Sequence, residues 1–317
     1  MVSKDKSAQL VTPARLAQAV TGDAWTLHIL RHAFRGARRY SQWRELFTSE
    51  GMPIPEPVLS DRLSRLVSYQ LLERQPATPQ GVHREYRLTD RGLELWTLLI
   101  SIRDWEARYA KGRRGKTTSM ILHTSCGHAT HPVLICSHCG ERVTARDTRL
   151  EMVAARSSAL AAKLVNVPNT RRSNAVGRGG RSKFLQSQTL QIIGDRWSNM
   201  LLGALFLGKH GFDELRLFLA IPPAILSNRL AKFVTLGILR KESHDETPRR
   251  KFYRLTEKGL ELFPIVIFTV DWGNRWLTAH PENFRILHTT CGATLRPSLN
   301  CSHCQEHLQR QTVQLIP

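Results

Sequence analysis

Six cysteines fall in two short stretches, HTSCGHATHPVLICSHC (123–139) and HTTCGATLRPSLNCSHC (288–304). Both spell H-x2-C-x9-C-x2-C. A Cys-x2-Cys places two sulfurs on one side of a tetrahedral ion, and a second pair further along the chain closes it. The spacing predicts one structural Zn²⁺ per copy. The expected ligands are His123, Cys126, Cys136 and Cys139 in the first copy, and His288, Cys291, Cys301 and Cys304 in the second. Four protein ligands leave no open position, which argues against a catalytic metal. Disulfides within a copy would leave one cysteine over, and such compact clusters differ from the spread frameworks of secreted scaffolds. The competing reading is a reduced thiol cluster. His138 and His303 lie between paired cysteines and are expected to point away. His128 and His131 become Ala293 and Arg296 in the second copy, so they are not required.

The stretches belong to a longer duplication. His123 and His288 are 165 residues apart (288 − 123), as are Cys126 and Cys291. Upstream, TGDAWTLHILRHAFRG (21–36) matches IGDRWSNMLLGALFLG (193–208) at an offset of 172 (194 − 22). VLSDRLSRL (58–66) matches ILSNRLAKF (225–233), and EYRLTDRGLEL (85–95) matches FYRLTEKGLEL (252–262), both at 167 (225 − 58). Changes of offset mark loops, and SEGMPIPEP reads as one. Two units are too few for a solenoid. The expected division is a first domain over 1–150, a linker over 151–185 and a second domain over 186–317. Within the linker EMVAARSSALAAKLV (151–165) has the composition of a short helix. NVPNTRRSNAVGRGGRSK (166–183) lacks acids and apolar periodicity and reads as flexible and basic.

Each copy reads as three helices, two strands, a helix and the cysteine stretch. Trp25, Leu27, Ile29 and Leu30 belong to the first helix, matched by Trp197, Met200, Leu201 and Leu205. The next helix is expected to be capped by Ser41 or Asp213. The third has apolar positions Leu59, Leu63, Leu66 and Val67, repeated as Leu226, Leu230, Phe233 and Val234, the stripe of a half-buried helix. Two strand-like segments around a Pro/Gly-rich tip follow (71–88 and 238–255). Thr89 and Thr256 then open a long apolar helix ending at Trp105 and Trp272. The fold class is mainly α with small β-hairpins (α+β): two tandem winged helix-turn-helix domains, each followed by a small zinc-ribbon-like Cys3His segment. In this plan the third helix enters the major groove and the hairpin tip touches the backbone or minor groove.

The run IGDRW, DEL, ILSNRL, LGILRK, FYRLTEKG and DWG-RW resembles the HxlR family of bacterial winged-helix transcriptional regulators, relatives of MarR. In the second copy the likeness extends from about 186 to 277. The first copy, 14–109, keeps GD-W, LS-RL and YRLT-RG but departs at the longer loop before its third helix. The resemblance implies a non-enzymatic DNA-binding regulator that acts as a homodimer. Many single-domain members carry a redox-sensing cysteine just before the first helix; neither copy has one. This chain also holds two domains where the family has one.

Charge agrees with a polyanionic partner. Lys+Arg 46 against Asp+Glu 26 gives +20 over 317 residues, a field that attracts double-stranded DNA. The opening MVSKDKSAQLVTPAR is polar, and no apolar run approaches a membrane span, so the expectation is a cytoplasmic, nucleoid-associated protein with no membrane partner. The outward face of the third helices supplies candidate DNA-binding residues Ser60, Arg62, Ser64 and Arg65, with Ser227, Asn228, Arg229 and Lys232; the shared Arg of S-x-R-L has the alternative role of fixing the helix to its own domain or to a phosphate. The wings add Arg84, Arg249, Arg250 and Lys251. The expected assembly is a monomer acting as a pseudo-dimer on two half-sites, or a homodimer. The alternative is an RNA- or protein-binding adaptor built from winged-helix and ribbon modules. AKGRRGKT (110–117) fits a relaxed phosphate-loop pattern but lacks the preceding strand and following helix, so it reads as a basic connector.

Overall fold

The computed structural model describes residues 12–76, 84–109, 120–152, 188–244 and 247–316. In the first half, α1 (Pro13–Thr21), α2 (Ala24–Phe34), α3 (Tyr40–Ser49) and α4 (Glu56–Ser68) lead into a hairpin of β1 (Leu72–Pro76) and β2 (Arg84–Leu88). Then come the one-turn α5 (Asp90–Leu93) and the long α6 (Trp96–Tyr109). The second half repeats this as α7 (Gln188–Ile193), α8 (Arg196–Phe206), α9 (Phe212–Leu219) and α10 (Pro223–Thr235). Its hairpin is β7 (Leu239–His244) with β8 (Thr247–Leu255), followed by α11 (Glu257–Leu260) and α12 (Phe263–Leu277). The cysteine stretches form short strands: β3 (Met120–His123), β4 (His128–Thr130), β5 (Val133–Cys136) and β6 (Thr148–Met152), then β9 (Phe284–His288), β10 (Pro297–Asn300) and β11 (Val313–Ile316).

The expected apolar stripe is buried in both third helices. Leu59, Leu63 and Leu66, with Leu226, Leu230 and Phe233, are at most 1% exposed. Val67 and Val234 sit at the rim instead, Val234 being exposed. The extra residues of the first copy's loop are not idle, because Met52 and Ile54 turn inward and are buried.

Two capping expectations are corrected. Ser41 and Asp213 lie inside their helices, whose N-caps are Arg39 and Gly211. The longer side chains at the third helical position reach back instead. Gln42 Oε1 accepts from the N–H groups of Arg38 and Arg39 at 2.8 Å, and Glu214 Oε2 accepts from His210 N–H at 3.0 Å. Thr89 and Thr256 do cap helices, accepting from Gly92 and Gly259 N–H at 3.1 and 3.2 Å, but the helices are the one-turn α5 and α11. The recurring L-T-x-x-G has a steric cause as well. A Cβ on Gly92 would lie 2.2 Å from the Leu71 carbonyl oxygen, and one on Gly259 would lie 2.3 Å from that of Ile238. Only glycine lets this turn pass so close to the wing's first strand.

The halves are interlocked rather than strung apart. α1 of the first half packs along α12 of the second, and α7 of the second meets α6 of the first. A Cβ on Gly273 in α12 would lie 2.3 Å from the Pro13 carbonyl oxygen, so glycine sets that close approach. Trp105 and Trp272, equivalent in the repeat, are both buried. Each indole N–H donates to a backbone carbonyl of the opposite half, Trp105 to Lys258 at 3.1 Å and Trp272 to Arg91 at 2.9 Å. Arg108 pairs with Glu261 at 2.6 Å and Arg275 with Glu94 at 2.5 Å, again reciprocally.

The ribbon strands cross over in the same way. β3 pairs with β11, β6 with β9 and β5 with β10, all antiparallel and all between halves. Leu134 stands opposite Leu299, its own counterpart in the repeat, so a local twofold axis passes between them. Both are buried, at 4% and 1% exposure. The helix expected from residue 151 is displaced by β6 at its first two positions; the rest of it, the 166–183 linker and the AKGRRGKT stretch lie outside the described residues.

Candidate nucleic-acid interface and metal centres

The reading helices are held from behind by an aspartate at the start of the helix they cross. Asp23 caps α2, accepting from Trp25 N–H at 3.1 Å and Thr26 N–H at 3.3 Å. Its other oxygen pairs with Arg62 Nε at 3.1 Å, and Asp61 also holds the Arg62 guanidinium. Asp195 repeats the arrangement, capping Ser198 N–H at 3.0 Å and binding Arg229 Nε at 3.2 Å. Arg62 and Arg229 were expected on the reading face. The structure turns the Arg62 side chain inward, 8% exposed, and leaves that of Arg229 at 24%. Both act as tethers between helices, because a charge removed from water requires a charged partner. The recurring G-D-x-W and S-x-R-L were the sequence signal for this pair.

Ser60 and Ser64 on α4, and Ser227 and Asn228 on α10, are exposed. Arg65 is half-buried, with its Nε 3.4 Å from Asp61. Lys232 is half-buried too; burial first, and then Arg229, lower its pKa against the pull of Asp195. The first face therefore carries an exposed carboxylate, Asp61, where the second carries Asn228. In the wings, Arg84 opens β2 and is exposed, as is Lys251 in β8. Arg249 and Arg250 belong to β8, and their side chains lie outside the described residues.

The Cys/His ligands meet across the halves. One cluster joins His123 and Cys126 to Cys301 and Cys304, and the other joins His288 and Cys291 to Cys136 and Cys139. The expectation of one complete set per copy is thereby corrected: each copy gives its His-x2-Cys to one cluster and its Cys-x2-Cys to the other. The reason is topological, since β5 pairs with β10 across the local twofold and carries each Cys-x2-Cys over to the opposite half. His123 Nδ1 lies 3.4 Å from Cys126 Sγ and 3.3 Å from Cys304 Sγ, and the Cys126 and Cys301 sulfurs are 3.9 Å apart. His288 Nδ1 lies 3.4 Å from both Cys139 Sγ and Cys291 Sγ. Tetrahedral bonds of about 2.0 Å to nitrogen and 2.3 Å to sulfur require edges of roughly 3.5–3.8 Å, so both clusters have the dimensions of a metal cage.

Cys136 and Cys301 are buried, as are His123 and His288. Burial opposes ionisation of Cys301. Hydrogen bonds from the Thr130 hydroxyl and the backbone N–H groups of Cys304 and His303 outweigh it and bring the thiol down to about 6. This polarised thiol is suited to bind as a thiolate. His303 does not enter the cage but stacks on His128, ring centroids 3.6 Å apart. The second copy has Ala293 at the His128 position.

A family model described as HxlR-like helix-turn-helix matches residues 20–114 and 192–281, over half the chain. The chain belongs to the HxlR-like family. An uncharacterised HTH-type transcriptional regulator of Mycobacterium tuberculosis (strain H37Rv) is 38% identical over 135 residues, 43% of this chain and 82% of the relative. The uncharacterised HTH-type regulator YdeP of Bacillus subtilis is 35% identical over 89 residues, 28% of this chain and 70% of that one. A solved structure, that of the candidate transcription factor PA1607, aligns over 44% of this chain and 91% of its own at 28% identity, with a TM-score of 0.37. The HxlR-like matches cover both winged-helix blocks and stop short of β3 and β9, so the interlocked ribbon lies outside them. Among the described residues no helix is long and apolar enough to cross a membrane.

Proposed function

We propose that this HxlR-like chain is a sequence-specific DNA-binding transcriptional regulator in which one polypeptide presents two winged helices to adjacent half-sites. The observation that carries this reading is the reciprocal packing of the halves about a local twofold, with α1 on α12 and each indole bonded to the opposite half. Two linked reading helices suit a target with two half-sites about one helical turn apart. The names of the relatives support a regulator, and the net charge of +20 supports a polyanionic partner. Exposed Ser60, Ser64, Ser227 and Asn228 favour base edges over a protein partner, which would call for apolar residues there.

Within this reading the two crossed Cys/His clusters each hold one Zn²⁺ that fastens the halves together. Soft thiolates with one imidazole and no open position suit structural zinc. Selection of bound fragments from random DNA, followed by mass measurement of the complexes, tests the whole. One chain on an operator with two unlike halves is the expected result. Two chains on every site, or no enrichment over random sequence, overturns it.

A further inference from the structure

The two halves each enclose a cleft between their second helix, their long helix and a ribbon strand supplied by the other half. In the first half His28, Arg31, Arg35 and Arg103 line it. The equivalent places in the second half are Met200, Gly203, Leu207 and Val270. The result is an apolar cavity of about 230 Å³ walled by Phe206, Phe263, Ile267, Leu150 and Phe284. Phe206 and Phe263 meet there at a tilt of 54°, ring centroids 5.3 Å apart. Gly203 stands in the middle of α8, where glycine weakens a helix relative to alanine. A Cβ there would meet nothing within 4 Å, so no close approach requires this glycine. Its effect is to keep the space open.

The polar groups on the wall set the charge of an occupant. Among the described residues no Asp or Glu lines the cavity, so a cation would leave water without meeting a counter-charge. Arg15, on α1, is already partnered and does not call for an anion. The hydrogens of the other polar groups are turned away. Thr148 and Thr269 donate their hydroxyl hydrogens to the Ala145 and Ile265 carbonyls, at 3.2 and 2.7 Å. The Asn199 amide donates to the Ile193 carbonyl at 2.5 Å. Lone pairs therefore remain on the wall, and they repel an anion. Among the described residues Gln18 Oε1, at the α1 end, is buried with no hydrogen-bond partner. A buried acceptor left unpaired is costly, and a donor on a neutral occupant satisfies it.

We propose that this cavity takes one small neutral alcohol, its hydrocarbon part among Phe206, Phe263 and Phe284 and its hydroxyl donating to Gln18 Oε1. The volume lies below the roughly 300–1,000 Å³ of drug-sized sites, which limits the ligand to about a single substituted ring. Phe218, Leu219 and Ala220 line the same cavity and lead directly into α10, so the site adjoins the turn that sets the second reading helix. The first half instead turns guanidinium and imidazole groups onto its cleft, which disfavours a hydrocarbon occupant there.

Calorimetric titration of the full chain tests the site independently of DNA. The probes are 4-isopropylbenzyl alcohol, its isomer 4-isopropylanisole, which has no donor, and the charged 4-isopropylbenzoate and 4-isopropylbenzylammonium. Saturable binding of one alcohol per chain is expected, with the other three at least tenfold weaker. Gln18→Leu should bring the alcohol down to the level of the anisole. Gly203→Leu should fill the cavity and abolish binding while raising the melting temperature and leaving the metal content unchanged. The proposal is overturned by absence of saturable binding, by two equivalents per chain, or by either ion or the anisole matching the alcohol. Binding that survives Gly203→Leu overturns it too.

Discussion

The first half surrounds its cleft with His28, Arg31, Arg35 and Arg103, and Glu50 braces it by pairing with both Arg31 and Arg35. The second half builds the same walls from Met200, Gly203, Leu207 and Val270. The exposed faces of α4 and α10 differ too: Asp61 stands where the other half has Asn228. Yet the parts that join the halves agree closely, down to reciprocal indole bonds and reciprocal Arg–Glu pairs. A twofold interface built from one repeated surface must keep both copies compatible, because each residue there meets its counterpart's neighbours. Surfaces away from the axis carry no such constraint. Duplication within one chain has kept the indole, Arg–Glu and ribbon-strand joints symmetric and let the clefts and exposed helix faces diverge.

The sharpest break of the crossed joint is at the two Cys/His clusters. Cys126→Ser and Cys301→Ser fall in one cluster, so the double variant should still bind one metal per chain. Cys126→Ser with Cys136→Ser should bind none. Native mass spectrometry counts the ions, and the reverse pattern, none in the first double and one in the second, would mean uncrossed sites. Structural zinc contributes apparent free energies of about 10–16 kcal/mol in zinc-finger peptides, so loss of both metals should be the largest effect on stability.

The aspartate tethers give the next largest effect and separate the halves. Asp23→Ala removes the α2 cap and one of the two carboxylates on the buried Arg62 guanidinium, leaving the exposed Asp61, and should cost about 3 kcal/mol in denaturant unfolding. Asp195→Ala should cost less, because Arg229 is more exposed. Equal losses would mean that the difference in exposure has no energetic weight.

At the reading faces, Asn228→Ala should cost about 1–3 kcal/mol of affinity and relax one base position in one half-site only. Replacing Arg249, Arg250 and Lys251 together should flatten the salt dependence by about 0.9 for each phosphate no longer neutralised. A slope left unchanged in competition binding removes that wing from the interface.

Acid should affect the halves unequally. His28 is pushed down to about 3 and His32 to about 4, in each case by burial first and by Arg31 next. Their folded-state values lie below the ordinary unfolded value near 6.5. The unfolded chain therefore binds the extra protons as pH falls through about 6.5, and stability is lost from there down to about 4 for His32 and about 3 for His28. The second half has Met200 and Ala204 at these places. His28→Met with His32→Ala should flatten the acid dependence of unfolding over that window. An unchanged profile would assign the acid sensitivity elsewhere, for example to the cysteine ligands.

How much was legible beforehand differs by element. The stripes Leu59, Leu63, Leu66 and Leu226, Leu230, Phe233 followed from helical period alone, because burial of one face leaves a repeat of three and four in any sequence. The family assignment and the duplication followed from motifs and offsets. Arg62 and Arg229 were legible as either reading-face residues or anchors of the helix to its own domain, and the choice was open because a helical wheel gives a direction but not the aspartate waiting on another helix. The aspartate's own signal, G-D-x-W at a fixed distance from S-x-R-L, was present in both copies.

The sequence by itself determined the three winged-helix helices and the hairpin of each copy, the threonine caps at Thr89 and Thr256 though not the one-turn helices they open, and the identity of the eight Cys/His side chains. These depend on local backbone sterics and on residue chemistry, which travel with the chain. Only the tertiary structure decided which half each ligand serves, because two identical spacings can close within a copy or across copies with the same local geometry. The pairing of β5 with β10 breaks that tie, and it is set by Leu134 and Leu299 burying each other on the axis. The cavity is likewise tertiary: Gly203, Arg15 and Leu150 are far apart in sequence, and only the crossing of α1 over α12 brings their walls together.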